Sequence, residues 1–138
     1  MFGPHMMLDC YGCNREKLQD MKLLYKVLDE LPDFIGMQKI TPPYIFHYAG
    51  GEKPEDCGFS GVVIIAESHI SLHSFPEKGF VTFDIYSCKD FDTERASEYL
   101  INVVEAERYE KHMLLRGREF PKDIQKATKI VARQRKRI

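Results

Sequence analysis

The sequence is short of net charge, of long apolar runs, of cysteine and of hydrolase signatures, and each shortage narrows what the protein does. Twenty Lys and Arg against 21 Asp and Glu leave a formal net charge of −1, so nothing draws the whole chain to nucleic acid, membranes or acidic substrates. No stretch approaches the roughly 20 apolar residues that a bilayer span requires. The N-terminal Met-Phe-Gly-Pro-His lacks the charged and apolar blocks of a secretory signal. The expectation is a soluble, cytoplasmic protein with no membrane partner. Its four cysteines, Cys10, Cys13, Cys57 and Cys88, are expected as free thiols in a reducing compartment. Cys10 and Cys13 form a C-x-x-C, yet no second pair and no nearby His-x-x-x-His completes a zinc site. Cys10 also falls within an apolar run rather than at a helix start, where a redox dithiol belongs. Ordinary packing is therefore expected of the pair, and no metal. The G-x-S-x-G elbow of serine hydrolases is absent. There is no internal repeat and no linker long enough to separate a second domain. With 138 residues, 43% hydrophobic and 30% charged, residues 1–138 suit a single domain with a modest core.

What is present reads as alternating elements. His5 to Tyr11 is a short apolar segment ending at Gly12, as in a first strand. Asn14 is a good N-cap, and Leu18, Met21, Leu24, Tyr25 and Leu28 follow at helical spacing, with Pro32 expected to end that helix. Met37 to His47 reads as extended, interrupted by Pro42 and Pro43, and residues 49–57 read as a loop. Gly61 to Ala66 is continuously apolar and β-branched. From Glu67 the pattern alternates, with Glu67, His69, Ser71 and His73 on one side and Ser68, Ile70 and Leu72 on the other. After a turn at Pro76 and Gly79, residues 80–88 form another strand. Val81, Phe83 and Ile85 share one face of it, and Thr82, Asp84, Tyr86 and Cys88 the other. Asp92 or Thr93 starts a second amphipathic helix with Ala96, Tyr99, Leu100, Val103 and Val104 inward, and His112 to Leu115 forms a last strand. This order predicts an α+β fold, a two-layer sandwich of an antiparallel sheet with helices on one face. The tail from Arg118 onward is basic; without interleaved aromatics to stack bases it is expected as a solvated end, with no nucleic-acid partner.

Residues 66–77, Ala-Glu-Ser-His-Ile-Ser-Leu-His-Ser-Phe-Pro-Glu, stand out. Hydroxyls, imidazoles and carboxylates crowd the end of a buried apolar strand, where polar groups are costly unless paired. The plain alternative is a half-exposed strand whose polar side meets water.

The stretch from Ser60 through Glu77, followed by Phe83-Asp-Ile-Tyr-Ser-Cys88, resembles the small, single-repeat S-adenosylmethionine decarboxylases of prokaryotes, which depend on a pyruvoyl group. The likeness runs from Gly3-Pro-His5 and Cys13 to about Arg118. It implies that the chain is a proenzyme that cuts itself between Glu67 and Ser68. The Ser68 hydroxyl would attack the Glu67 carbonyl, turning the peptide into an ester. β-Elimination and loss of ammonia would then leave the pyruvoyl group in place of Ser68. Residues 1–67 become the β chain, ending at Glu67, and residues 68–138 the α chain. Ser60 and His73 match the hydroxyl and imidazole that manage protons during processing. The pyruvoyl carbonyl would form a Schiff base with the substrate and act as an electron sink, without metal or pyridoxal phosphate. Cys88 matches the acid that protonates the product carbanion.

For the substrate, S-adenosylmethionine, Phe75 matches an aromatic stacking on adenine and Glu77 the carboxylate holding the ribose hydroxyls. His69 is expected to support these residues without touching substrate. The product is the aminopropyl donor for spermidine synthesis. The two cleaved chains are expected to stay together, and the (αβ) units to pair into a homodimer with the active site at or near its interface. The sequence departs from the family in three places. The loop between Tyr48 and Phe59 is long where another adenine-stacking aromatic is expected, leaving Phe46, Tyr48 and Phe59 as candidates. Asp9, grouped with the substrate contacts, stands where a Glu is expected. The basic tail has no counterpart. Relatives that decarboxylate arginine or ornithine offer an alternative, in which Asp9 and the acidic loop residues Glu52, Glu55 and Asp56 would meet a basic side chain. A non-processing regulatory homologue is another.

Overall fold

The computed structural model describes residues 3–117 together with Lys129, Ala132 and Arg133; the rest of the basic tail lies outside the described residues. The elements run β1 (Gly3–Tyr11), α1 (Arg15–Leu18), α2 (Met21–Phe34), β2 (Gln38–Lys39), β3 (Tyr44–Tyr48), β4 (Gly58–Ala66), β5 (Ser68–Phe75), β6 (Phe80–Ser87), α3 (Thr93–Val104) and β7 (Arg108–Arg116), with short 3-10 turns at Pro54–Asp56 and Pro76–Lys78. All strand pairings are antiparallel. The sheet order is β2-β4-β5-β6-β1-β7, and β3 also pairs with β4, beside β2. This is the α+β architecture that the alternation of elements implies.

Period-two patterning decides which side of the sheet is covered. Met6, Leu8 and Cys10 of β1, Val63 and Ile65 of β4, Ile70 and Leu72 of β5, and Val81, Phe83 and Ile85 of β6 are all fully or nearly fully buried. They meet Leu24, Val27, Leu28 and Leu31 of α2 and Ala96, Leu100 and Val104 of α3 in one core. Tyr99 and Val103 of α3 reach only its rim. Among the described elements, α1, α2 and α3 all contribute to this one core, and none of them covers the other side of the sheet.

The strands expected at Gly61–Ala66 and His112–Leu115 are longer, beginning at Gly58 and Arg108, and two helix boundaries differ from the sequence expectation. The helix begun at Asn14 is broken after Leu18: Asp20 accepts a hydrogen bond from the Leu23 amide and caps a new helix, α2. Pro32 does not end α2 but sits in its last turn. The stop comes at Gly36, whose φ of 77° closes the helix while the Met37 amide donates to the Pro32 carbonyl at 2.8 Å. No helix among the described residues is long and apolar enough to cross a membrane.

Candidate active site

The side of the sheet away from α2 and α3 holds His69, His73, Ser60, Asp9 and Cys88 among the described residues, whereas Ser68 lies opposite the buried Ile65 and Ser87, in the phase of the covered side. The strand register sets the residues of the open side in rows. Phe46, Ser60, His73, Thr82, Asp9 and Glu110 lie directly opposite one another across β3, β4, β5, β6, β1 and β7. One pair along the strands, Tyr44, Val62, Ser71, Asp84, Met7 and His112 form the next row; beyond it come Ile64, His69, Tyr86, His5 and Leu114.

At the far end of these strands is the β4–β5 hairpin. Ile65 pairs with Ser68, so Ala66 and Glu67 alone make the turn. Ser68 sits at a φ of 125°, a conformation that L side chains rarely adopt. The Glu67 carbonyl oxygen accepts a hydrogen bond from the Cys88 backbone amide at 3.3 Å. Ser68 itself lies opposite Ser87. Glu67, Ser68 and Cys88 are thus brought together by the ends of three strands, and Ser68 and Cys88 remain partly accessible.

At the other end of β5, His73 Nδ1 and Ser60 Oγ are 2.8 Å apart, a cross-strand pair open to solvent. Phe75 begins an aromatic ladder. Its ring lies 5.9 Å from that of Phe80, which lies 5.2 Å from Tyr11. Lys78 stands over Phe75 and Arg108 over Tyr11. Glu77 follows in the 3-10 turn and is ion-paired with Arg15. A cavity of about 230 Å3 lies between this turn and the long loop, lined by Gln19, His47, Cys57, Phe59 and Glu77 among others. Asp56 of the loop pairs with Lys78 at 3.1 Å. Of the candidate aromatics, Phe59 packs against the core beside His47, 4.9 Å between ring centres. Phe46 is 62% exposed on the open side, opposite Ser60.

The eight candidate residues therefore fall into two groups. Glu67, Ser68 and Cys88 occupy one end, and Ser60, His73, Asp9, Phe75 and Glu77 the other. Five residues of strand separate Ser68 from His73, roughly 17 Å at 3.3 Å per residue. Within one chain the expected hydroxyl and imidazole do not reach Ser68.

Electrostatics distinguish the buried thiols from the rest. Burial, with smaller contributions from Cys13 and Asp9, pushes the Cys10 thiol up to about 12, and burial raises Cys13 to about 11. Both stay protonated and inert as packing groups. His69 is held below its ordinary value by burial first, then by the neighbouring His5 and Arg116, against the pull of Asp84. His5 Nε2 lies 3.0 Å from Asp84 Oδ1, and Arg116 stacks over Tyr86. Asp9, Glu110 and His112 are the described residues whose spacing suits a cation; Glu110 and His112 are exposed and already 3.5 Å from each other.

Sequence reasoning missed three participants. His5 is in phase with Met7 and Asp9, a signal that was there to read. Arg15 and the Cys88 amide carried none, because a backbone donor has no sequence signature and Arg15 meets Glu77 only through the fold.

The family model for S-adenosylmethionine decarboxylase matches residues 4–117. An S-adenosylmethionine decarboxylase proenzyme of Bacillus velezensis is 35% identical over 115 residues, 83% of this chain and 86% of the relative. One from Pyrococcus furiosus is 33% identical over 118 residues, 85% of this chain and 80% of the relative. The crystal structure of the adenosylmethionine decarboxylase from Aquifex aeolicus superimposes with a TM-score of 0.71 at 29% identity, covering 84% of this chain and 91% of that one. The family model spans the whole described sheet, from β1 through β7, and on that match the chain belongs to the S-adenosylmethionine decarboxylase family.

Proposed function

We propose that this protein is a self-cleaving, pyruvoyl-dependent decarboxylase of S-adenosylmethionine, cut between Glu67 and Ser68. The observation that carries the reading is the hydrogen bond from the Cys88 amide to the Glu67 carbonyl oxygen, next to a serine at the tip of a hairpin. Attack by Ser68 Oγ on the Glu67 carbonyl carbon breaks the peptide C–N bond and forms an ester, and negative charge develops on that carbonyl oxygen. A donor already aimed at it stabilises the charge without reorganisation. Removal of the Ser68 α-proton then breaks the ester C–O bond. The Glu67 carboxylate leaves, and the dehydroalanine left behind takes up water and loses ammonia. The product is a 67-residue β chain and a 71-residue α chain.

The residues present fit the group so formed, because Ser68 is partly accessible at the sheet end. Once formed, the pyruvoyl carbonyl would supply the electron-withdrawing centre that decarboxylation needs. Around it, Cys88 offers a thiol proton to the α-carbon. Phe75 and Phe46 would supply aromatic faces for adenine and Glu77 a carboxylate for the ribose diol; they lie at the Ser60–His73 end of the sheet and so would reach the pyruvoyl group of a second copy.

Ser60 and His73 enter through a second copy of the chain. The pair is a ready proton relay but lies roughly 17 Å along the strand from its own Ser68. Among the described elements no helix covers the side of the sheet bearing it, and Tyr44, Phe46 and Ile64 are exposed there, which suits a partner stacked face to face. In such a homodimer of (αβ) units the pair of one copy serves the hairpin of the other. The protein then works without pyridoxal phosphate or metal and yields the aminopropyl donor for spermidine synthesis. The arginine or ornithine alternative is weakened because Asp56 of the acidic loop is engaged by Lys78.

Intact mass under denaturing conditions tests the cleavage. The expected result is two chains divided at Glu67–Ser68, the C-terminal one carrying a carbonyl reducible by borohydride, with carbon dioxide released from S-adenosylmethionine rather than from arginine or ornithine. A single chain of 16.1 kDa that stays intact on incubation sinks the proposal.

A further inference from the structure

The turn carrying Phe75 and Glu77 is fastened to α1 by contacts that grow stepwise from the backbone outward. Gly79 adopts a φ of 58°, open to glycine without cost, and its carbonyl accepts from the Cys13 amide at 2.9 Å. The buried Ser74 hydroxyl donates to the Leu18 carbonyl at 3.1 Å and accepts from the Phe59 amide at 3.2 Å. Asn14 caps α1 by accepting from the Glu16 and Lys17 amides, and its own amide donates to the Val104 carbonyl. These bonds fix the first residue of α1, Arg15, beside the turn, where its guanidinium donates to Oε1 of Glu77. Both side chains are substantially exposed, 60% for Arg15 and 41% for Glu77, so the pair adds little to folding stability.

We infer that Arg15 is a positioning residue for substrate binding: it holds the Glu77 carboxylate in the one orientation that leaves the second oxygen free for a ribose hydroxyl. This rests on the reading of Glu77 as the ribose contact. A carboxylate on an exposed turn otherwise samples several rotamers, and its contact with a ribose hydroxyl loses affinity for the freedom that must be frozen on binding. Arg15 removes that cost in the free enzyme. A guanidinium is suited to the task because its donors are fixed in a plane.

The test is steady-state carbon dioxide release by the processed enzyme with S-adenosylmethionine. Arg15→Ala is expected to raise KM roughly 5- to 10-fold, with kcat, self-cleavage and the thermal midpoint unchanged. Arg15→Lys restores some of the loss. Glu77→Gln raises KM by itself, and adding Arg15→Ala to it costs nothing further, because Arg15 acts only through Glu77. The inference is overturned if Arg15→Ala leaves KM unchanged while Glu77→Gln raises it, or if the two effects multiply. It is equally overturned if KM falls, since removing a cation near a sulfonium substrate would tighten binding were charge alone at work. A fall in kcat and self-cleavage together would show a structural role instead. Glu77→Gln with normal KM overturns the ribose reading of Glu77 separately.

Discussion

The two sides of this one sheet obey opposite rules. The side under α2 and α3 is a closed apolar layer in which Leu8, Val63, Ile65, Ile70, Leu72, Val81 and Ile85 have no solvent exposure. Across the same strands, one residue out of phase, stand His5, Asp9, Ser60, His69, Ser71, His73, Asp84 and Tyr86, all partly or largely accessible. Burial on one side supplies the rigidity that holds the other side's chemistry in register. Because side chains alternate with a period of two, the register that buries one side also fixes which residues the other side presents.

Substitutions can sharpen or break this division. The largest effect is expected from Ser68→Ala, which removes the attacking hydroxyl; intact mass should show one chain of 16.1 kDa and no decarboxylation at all. Cleavage by Ser68→Ala would refute the assignment outright. His73→Ala should slow self-cleavage by about 10²- to 10⁴-fold while leaving the fold intact. If the relay works between copies, mixing it with Ser68→Ala protein and allowing subunits to exchange should restore cleavage of the His73→Ala chain. Failure to do so in proven mixed dimers would place the relay within one chain.

On the covered side, Leu72→Ala should cost about 2–5 kcal/mol in denaturant unfolding. Its neighbour Ser71→Ala, facing the open side, should stay within about 0.5 kcal/mol. Equal losses would mean that the open side is packed as tightly as the core. The smallest effect is a pH dependence. His69 is held below its ordinary value of 6.5 chiefly by burial, so the folded state favours the neutral ring. Its contribution to stability is complete above 6.5 and is lost as pH falls through the lower folded value. The thermal midpoint should therefore drop more between pH of about 7.5 and about 5.5 in the unaltered protein than in His69→Gln. An identical drop in both would remove His69 as a cause.

Much of the fold is legible in the sequence because it rests on short-range periodicities. The inward phase of Val81, Phe83 and Ile85 and the Asp92 cap of α3 follow from spacing and local hydrogen bonding. The division between α1 and α2 escapes such reading because apolar spacing runs unbroken through Gln19 and Asp20, and the cap formed by Asp20 competes with helix only once the Leu23 amide is in place. Pro32 invites reading as a stop; it forfeits the bond that its amide would donate to the Leu28 carbonyl, yet the helix runs on to Phe34 and Gly36 does the stopping.

The candidate site divides along the same line. The motif from Ser60 to Cys88 carries the likeness to the family and the proposed reacting residues, because reaction chemistry demands particular side chains at particular places along the chain. Sequence alone also determined the two-sided strands, through alternation with a period of two. Only the tertiary structure decided the distances. Antiparallel register puts Ser60 against His73, and the hairpin holds the Glu67 carbonyl to the Cys88 amide. The length of β5 keeps these two groups apart, and the packing of α1 on a glycine turn brings Arg15 to Glu77. Those relations join residues far apart in sequence, and a one-dimensional pattern holds no record of which strand lies beside which.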